Sequence, residues 1–121
     1  MKRILIIKDG LEDELLQITK RALQKSGWQV LEANIADIFS DVEASEVDLI
    51  ICYSEVPSLP VHFERLKADP KTKIIPIFLL ANNINQNISQ VGVYIENWAT
   101  MPFSVDELVR RITITLSKSR S

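Results

Sequence analysis

The sequence predicts an α/β fold in which helices cover both faces of a parallel sheet. Short, β-branched apolar runs alternate along the chain with longer stretches whose apolar residues recur at helical spacing. The composition, 46% hydrophobic and 25% charged over 121 residues, is typical of a single globular domain. Strands that alternate with helices form βαβ units, because parallel neighbours need a long crossover connection.

The first strand is predicted at residues 4–7, a run that is typical of a strand buried on both faces. The run is too short for a signal peptide or a membrane span, and Lys8-Asp9 ends it. A first helix follows, and Ser26-Gly27 is a typical stop signal. The predicted apolar stripe of this helix is Leu11, Leu15, Ile18 and Ala22.

The second and third strands are predicted at residues 28–33 and 48–53, which are again apolar runs. An amphipathic helix lies between them, with Asn34 as its predicted cap. The chain therefore continues the alternation that a parallel sheet requires. The apolar positions of this second helix are Ile35, Ile38, Phe39 and Val42.

A third helix is predicted after the loop that Pro57 and Pro60 interrupt, and Asp69-Pro70 ends it. Residues 74–80 form the fourth and most apolar strand. Residues 81–93 are rich in Asn and Gln, which lower helix propensity, so we expect only a weak or short helix there. The apolar stripe of the third helix is Leu59, Phe63 and Leu66.

The last strand and helix are predicted at the end of the chain. The strand is short, at residues 97–100, and Ser104 with Glu107 forms a capping box for the helix. We expect one domain over residues 1–116 and a polar tail at 117–121, where a linker could start. The stripe of the last helix is Val105, Leu108, Val109, Ile112 and Leu116.

Five strands and five helices in this order predict a flavodoxin-like, doubly wound (βα)5 fold with strand order 2-1-3-4-5. The first and last helices would cover one face of the sheet, and the other three helices would cover the opposite face. In such folds the functional site lies at the carboxyl ends of the strands, where the strand order switches.

Several segments, in order, carry a resemblance that covers nearly the whole chain. They are residues 3–7 (RILII), 48–51 (DLII), 56–57 (VP), 66–77 (LKADPKTKIIPI) and 100–104 (TMPFS). Together they resemble the receiver domain of bacterial response regulators in two-component signalling. The last segment is similar to that family's Thr-Lys-Pro-Phe-Ser, which leads into its final helix.

The resemblance implies a set of phosphorylation-site positions. In the family, an Asp at the end of the third strand accepts the phosphoryl group, and with two acids after the first strand it holds Mg²⁺. A Thr or Ser after the fourth strand and a Lys after the fifth contact the phosphoryl oxygens. The matching residues here are Lys8, Asp9, Tyr53, Ala81 and Met101.

These residues lack the groups that the chemistry needs. Tyr53 offers a neutral phenol in place of a carboxylate, and Lys8 puts an ammonium where a divalent cation would bind. Ala81 and Met101 cannot neutralise a phosphate. If the fourth strand were matched one residue later, Asn82 would replace Ala81 without restoring the nucleophile or the metal site.

The resemblance therefore implies a pseudo-receiver: a phosphorylation-independent protein-interaction module, with no enzymatic activity, cofactor or metal. The alternative is a phospho-accepting receiver of a phosphorelay that uses a displaced acid, either Asp9 or Glu55. A third hypothesis, an unrelated flavodoxin-like enzyme or nucleotide binder, is disfavoured because no Gly-rich phosphate loop follows the first strand.

Several residues have two interpretations. Lys8 and Asp9 form either an ion pair or two solvated loop residues, and Tyr53 is either a static filler of the emptied site or a switch.

Cys52, inside a strand, is expected to be an inert packing residue. His62 is expected on the surface of the third helix, since no other metal ligand lies at suitable spacing.

The expected partner is a protein: a kinase, an output domain or another regulator. The resemblance places Trp98, Pro102 and Phe103 at the face formed by the weak fourth helix, the last strand and the last helix. The chain would be a monomer or a weak homodimer through that face, and the Met101-Pro102 peptide could be cis. The net charge of −2 disfavours binding to nucleic acid, and no membrane-spanning segment is expected. A single cysteine agrees with a cytoplasmic location.

Overall fold

The computed structural model describes residues 2–54, 56, 58–81, 92–100 and 103–118, with only the backbone at residues 43–45. The strands are β1 (Arg3–Ile7), β2 (Gln29–Ala33), β3 (Leu49–Tyr53), β4 (Ile77–Ala81) and β5 (Asn97–Thr100). The helices are α1 (Asp13–Lys25), α2 (Ile38–Ser45), α3 (Leu59–Ala68) and α4 (Val105–Lys118), and a 3-10 turn (Ile35–Asp37) precedes α2.

The strands form one parallel sheet in the order β2-β1-β3-β4-β5, which confirms the predicted topology. In the centre of the sheet, Leu5 of β1 lies between Leu31 of β2 and Ile50 of β3. Residues 4–7 and 49–52 are fully or almost fully buried, because helices cover the sheet on both faces.

Alternate residues of each strand enter two separate cores. Leu5 and Ile50 face the core beneath α2 and α3, whereas Ile4 and Ile51 face the core beneath α1 and α4. The first and last helices therefore share one face, as predicted. The helix predicted at residues 81–93 falls mostly on residues 82–91, which lie outside the described residues.

Two helices bury only part of the predicted stripe. The predicted positions that are buried are Ala22 of α1 and Leu108, Ile112 and Leu116 of α4. In α1 the side chain of Ile18 is 39% exposed, and in α4 that of Val105 is 40% exposed. Thr19 and Thr115 are buried in their place, and each hydroxyl donates a hydrogen bond of 2.8 Å to a carbonyl one turn earlier. A threonine can be buried at such a position because its hydroxyl finds a partner within the helix.

Strand β4 begins at Ile77 instead of residue 74. The preceding residues fold into turns, in which the Asp69 carbonyl accepts hydrogen bonds from the N–H groups of Thr72 and Lys73. These turns leave the side chain of Ile74 72% exposed. The apolar run therefore predicted a strand that begins too early, because the backbone of residues 71–74 forms turns instead of pairing with the sheet.

Lys67 makes hydrogen bonds at the end of the sheet opposite the predicted phosphorylation-site residues. Its ammonium donates hydrogen bonds to the carbonyl of Ile75 at 2.9 Å and to Oε1 of Glu96 at 2.8 Å. The other carboxylate oxygen of Glu96 accepts a hydrogen bond from the N–H of Ile77 at 2.6 Å. One lysine thus connects the end of α3 to the starts of β4 and β5.

We expect Lys67→Met to lower the free energy of unfolding by about 2 kcal/mol, because the carbonyl of Ile75 and Oε1 of Glu96 each lose the hydrogen bond from the ammonium. Met keeps the aliphatic length of the side chain, so the loss reports the hydrogen bonds. Urea denaturation measures the effect, with exposed Lys73→Met as the matched control. Equal midpoints for the two variants would contradict this role of Lys67.

Candidate functional site

The sheet brings four of the five predicted phosphorylation-site residues to one edge. Lys8 and Asp9 follow β1, Tyr53 is the last residue of β3, and Ala81 is the last residue of β4. The strands are parallel, so their carboxyl ends meet at the same edge, where Tyr53 lies opposite Leu80. Met101 lies outside the described residues.

Asp9 has a structural partner. Its Oδ1 accepts a hydrogen bond of 2.7 Å from the backbone N–H of Ile35, the first residue of the 3-10 turn. A carboxylate at such a turn satisfies an N–H group that has no partner within the turn. Asp9 therefore ties the loop after β1 to the loop after β2.

Lys8 is exposed, although its backbone N–H donates to the carbonyl of Ala33 at 2.9 Å. No ion pair joins Lys8 to Asp9 within the part of the chain that the structure describes. Of the two interpretations, the geometry agrees with a solvated Lys8, whereas Asp9 is held by the backbone.

The ring of Tyr53 lies next to Gly10. Gly10 has a φ of +80°, and a Cβ atom built on it would lie 3.0 Å from Cδ2 of Tyr53. The ring is half-buried and packs against the core beneath α1 and α4. The space between the loop after β1 and the end of β3 is therefore filled by an aromatic side chain.

Sequence reasoning did not identify Gly10 as part of this site. The available signal was a glycine three residues after the end of the first strand, with an aromatic residue ending the third. A glycine at a positive φ is expected where the backbone turns sharply or another group approaches closely. Here both conditions hold.

Cys52 and His62 occupy places that agree with their expected structural roles. Cys52 is fully buried, and burial raises the pKa of its thiol far above the ordinary range, with a further contribution from the carboxylate of Asp9. The thiol is therefore protonated and unreactive. His62 is half-buried on α3, where its Nδ1 hydrogen-bonds the carbonyl of Ser58 at 2.8 Å.

The described residues at this edge do not fit a magnesium ion. Mg²⁺ demands octahedral oxygen ligation and is usually held by carboxylates. The described residues contain no group of three or more His, Cys, Asp or Glu side chains that could hold a metal. Asp9 also already accepts a hydrogen bond from Ile35, and the neighbouring position is the cation Lys8.

Of the three predicted partner residues, Trp98 lies in β5 and Phe103 follows that strand along the chain. Trp98 is half-buried and packs against the core beneath α2 and α3, whereas Phe103 is half-buried against the opposite core. Pro102, and with it the Met101-Pro102 peptide, lies outside the described residues. The role of these residues in an interface stays a prediction. Sequence reasoning missed Arg111 of α4, which contacts Trp98.

In the described part of the chain, none of the helices has the length and apolar character needed to cross a membrane.

Comparison with known proteins gives a likeness in structure. The sequence matches no protein-family model and no curated protein. A response regulator from Desulfuromonas acetoxidans is 20% identical, with a TM-score of 0.82 over 97% of this chain and 98% of its own. The signal receiver domain of a signal transduction histidine kinase from Syntrophus aciditrophicus is 20% identical, with a TM-score of 0.84 over 98% of this chain and 92% of its own.

The chemotaxis protein CheY4 of Vibrio cholerae is 18% identical, with a TM-score of 0.82 over 95% of this chain and 98% of its own. The structural neighbours of this chain are thus response-regulator receiver domains. Identities this low establish the shared fold, and the activity has to be argued from the residues of the site.

Proposed function

We propose that this chain is a pseudo-receiver, a signalling domain that binds a protein partner without accepting a phosphoryl group. The observation that carries the proposal is the ring of Tyr53 packed on Gly10, at the end of β3. A phosphoryl acceptor at that place needs a carboxylate with free space above it for the donor. The phenol provides neither the nucleophile nor the space.

The neighbouring residues support the same proposal. Asp9, the carboxylate described at this edge, accepts a hydrogen bond from the N–H of Ile35 through Oδ1, so it has a structural role in joining two loops. Lys8 and Ala81 provide neither a second acid for Mg²⁺ nor a hydroxyl for the phosphoryl oxygens. A domain that no longer accepts a phosphoryl group would be expected to lack the acceptor carboxylate, a second metal-binding acid and the hydroxyl together.

The proposed partner is a protein of a two-component or related pathway: a kinase, an output domain or another regulator. The proposed contact surface is the face around β5 and α4, which includes Trp98, Pro102 and Phe103. We expect a monomer, or a weak homodimer through that face. The domain is proposed to span residues 1–116, with residues 117–121 as a polar tail.

Acetyl phosphate in the presence of Mg²⁺ tests the proposal on the wild-type protein. We expect no mass increase by one phosphoryl group, and no saturable change in Trp fluorescence up to millimolar Mg²⁺, because the site has neither the nucleophile nor the ligands. A receiver domain with an intact acceptor Asp is the positive control.

Two results would contradict the proposal. An acid-labile phosphoryl group mapped to Asp9 or Glu55 would establish the displaced-acid receiver instead. An acid-stable phosphoryl group on Tyr53 would indicate a different phospho-switch.

A further inference from the structure

Strand β5 lies at the edge of the sheet, and among the described residues one of its sides has no partner strand. Edge strands present backbone groups that can pair with other chains unless they are covered. Both backbone groups of Trp98 are occupied by side chains. Its N–H donates to Oδ1 of Asn97 at 2.9 Å, and its carbonyl accepts a hydrogen bond from Nη1 of Arg111 at 2.7 Å.

Arg111 of α4 contacts Trp98 in a second way. The central carbon of its guanidinium lies 5.4 Å from the centroid of the Trp98 ring, within the range of a cation–π interaction. Its Nε donates to Oε1 of Glu107 at 2.8 Å. One planar group therefore holds the carbonyl of Trp98, the ring of Trp98 and a carboxylate at the same time.

Glu107 is itself fixed at the start of α4. Its N–H donates to Oγ of Ser104 at 3.1 Å, and its carboxylate accepts a hydrogen bond of 2.7 Å from Arg110. A glutamate is ionised at neutral pH, and the hydrogen bond from Arg111, followed by the one from Arg110, lowers the pKa of Glu107 further. The anchor of Arg111 is thus a charged acceptor on the same helix.

Asn97 adds a connection from the strand to the helix. Its Nδ2 donates to the hydroxyl of Thr115 at 3.1 Å, while its Oδ1 holds the N–H of Trp98. Asn97 and Arg111 together fix the backbone of Trp98 against α4, and the half-buried indole rests on the core beneath α2 and α3.

From these contacts we infer that Arg111 is a positioning residue that holds Trp98 in one orientation, so that the surface of β5 and α4 is preformed without a phosphoryl group. The inference rests on the proposed function, because it states how the proposed contact surface is kept ready for a partner. Lysine could not replace Arg111, because a single ammonium lacks the planar fork that reaches a carbonyl, a carboxylate and a ring together.

Acrylamide quenching of Trp98 fluorescence tests the inference in a Trp28→Phe background, where Trp98 is the remaining indole. We expect Arg111→Lys to raise the quenching constant about twofold, because the ring loses the guanidinium that covers it. The matched control is Arg110→Lys, which also removes a partner of Glu107 but leaves the contacts of Arg111 with Trp98 intact. We expect the control to keep the quenching constant of the parent.

Amide hydrogen exchange at Trp98 and Ala99 gives a second readout. We expect the exchange rate to rise in Arg111→Lys and to stay unchanged in Arg110→Lys. Unchanged quenching and exchange in Arg111→Lys, or equal changes in both lysine variants, would overturn the inference. The proposed function fails on a different result, namely phosphoryl labelling of the wild type, so the two failures are distinguishable.

Discussion

A Tyr53→Asp variant is expected to stay essentially unlabelled by acetyl phosphate in Mg²⁺, although it carries a carboxylate at the end of β3. Phosphoryl transfer depends on positioning and on neutralisation of charge, and a nucleophile alone provides neither. Lys8 would still oppose the metal, and Ala81 and Met101 would still leave the phosphoryl oxygens without partners. Asp9 would still be engaged with the N–H of Ile35.

The quadruple variant Lys8→Asp, Tyr53→Asp, Ala81→Thr and Met101→Lys is expected to be labelled about a hundredfold faster than the single variant. These residues act on the same phosphoryl group and metal, so their effects should be far from additive. Intact mass against time measures the rate. The matched control is the triple variant that keeps Tyr53, which should remain unlabelled. If Tyr53→Asp alone is labelled as fast as the quadruple variant, the account of this site is wrong.

Gly10→Ala is expected to lower the free energy of unfolding by about 2–4 kcal/mol. A φ of +80° costs an L-residue roughly 1–2 kcal/mol, and the added Cβ would lie 3.0 Å from Cδ2 of Tyr53. The ring is half-buried, so moving it away disturbs its packing as well. Urea denaturation measures the loss.

Gly27→Ala is the matched control, because Gly27 has a φ of +90° and no atom within 4 Å of an added Cβ. It should show the cost of the backbone conformation alone. In a Tyr53→Ala background, the cost of Gly10→Ala should fall by about 1 kcal/mol, since the opposing ring is gone. A coupling of zero, with equal costs at the two glycines, would mean that Tyr53 is not packed on Gly10 in solution and would favour the switch interpretation.

Most of the architecture could be predicted from patterns of residues that are close together in the sequence. The apolar runs of β1 and β3, the alternation with helices up to β4, and the Ser104 cap of α4 are local signals with which the structure agrees. The helix predicted between β4 and β5 lies mostly outside the described residues. The strand order was predicted from that alternation together with the resemblance to receiver domains, because right-handed crossovers alone allow more than one order. The topology also placed Lys8, Asp9, Tyr53 and Ala81 at one edge, because they follow or end adjacent parallel strands.

The sequence pattern predicted the wrong buried residues where two sets of residues on one helix have the same spacing. In α1, the predicted stripe included Ile18, but the sheet selected the side of the helix that contains Leu16 and Thr19. Before β4, residue 74 continues an apolar run, yet turns closed by Asp69 hold it in solvent. Which side of a helix is buried depends on the neighbour that it packs against, and the sequence pattern does not contain that information.

The sequence by itself determined the alternation of strands and helices, and it decided which chemical groups Lys8, Asp9, Tyr53 and Ala81 can offer, because both follow from residue types along the chain. Only the tertiary structure decided what the remaining groups do. Asp9 holds Ile35, 26 residues away, the ring of Tyr53 lies next to Gly10, and Arg111 holds Trp98. Each of these contacts joins residues on different elements, so it exists only after the sheet and helices have packed together.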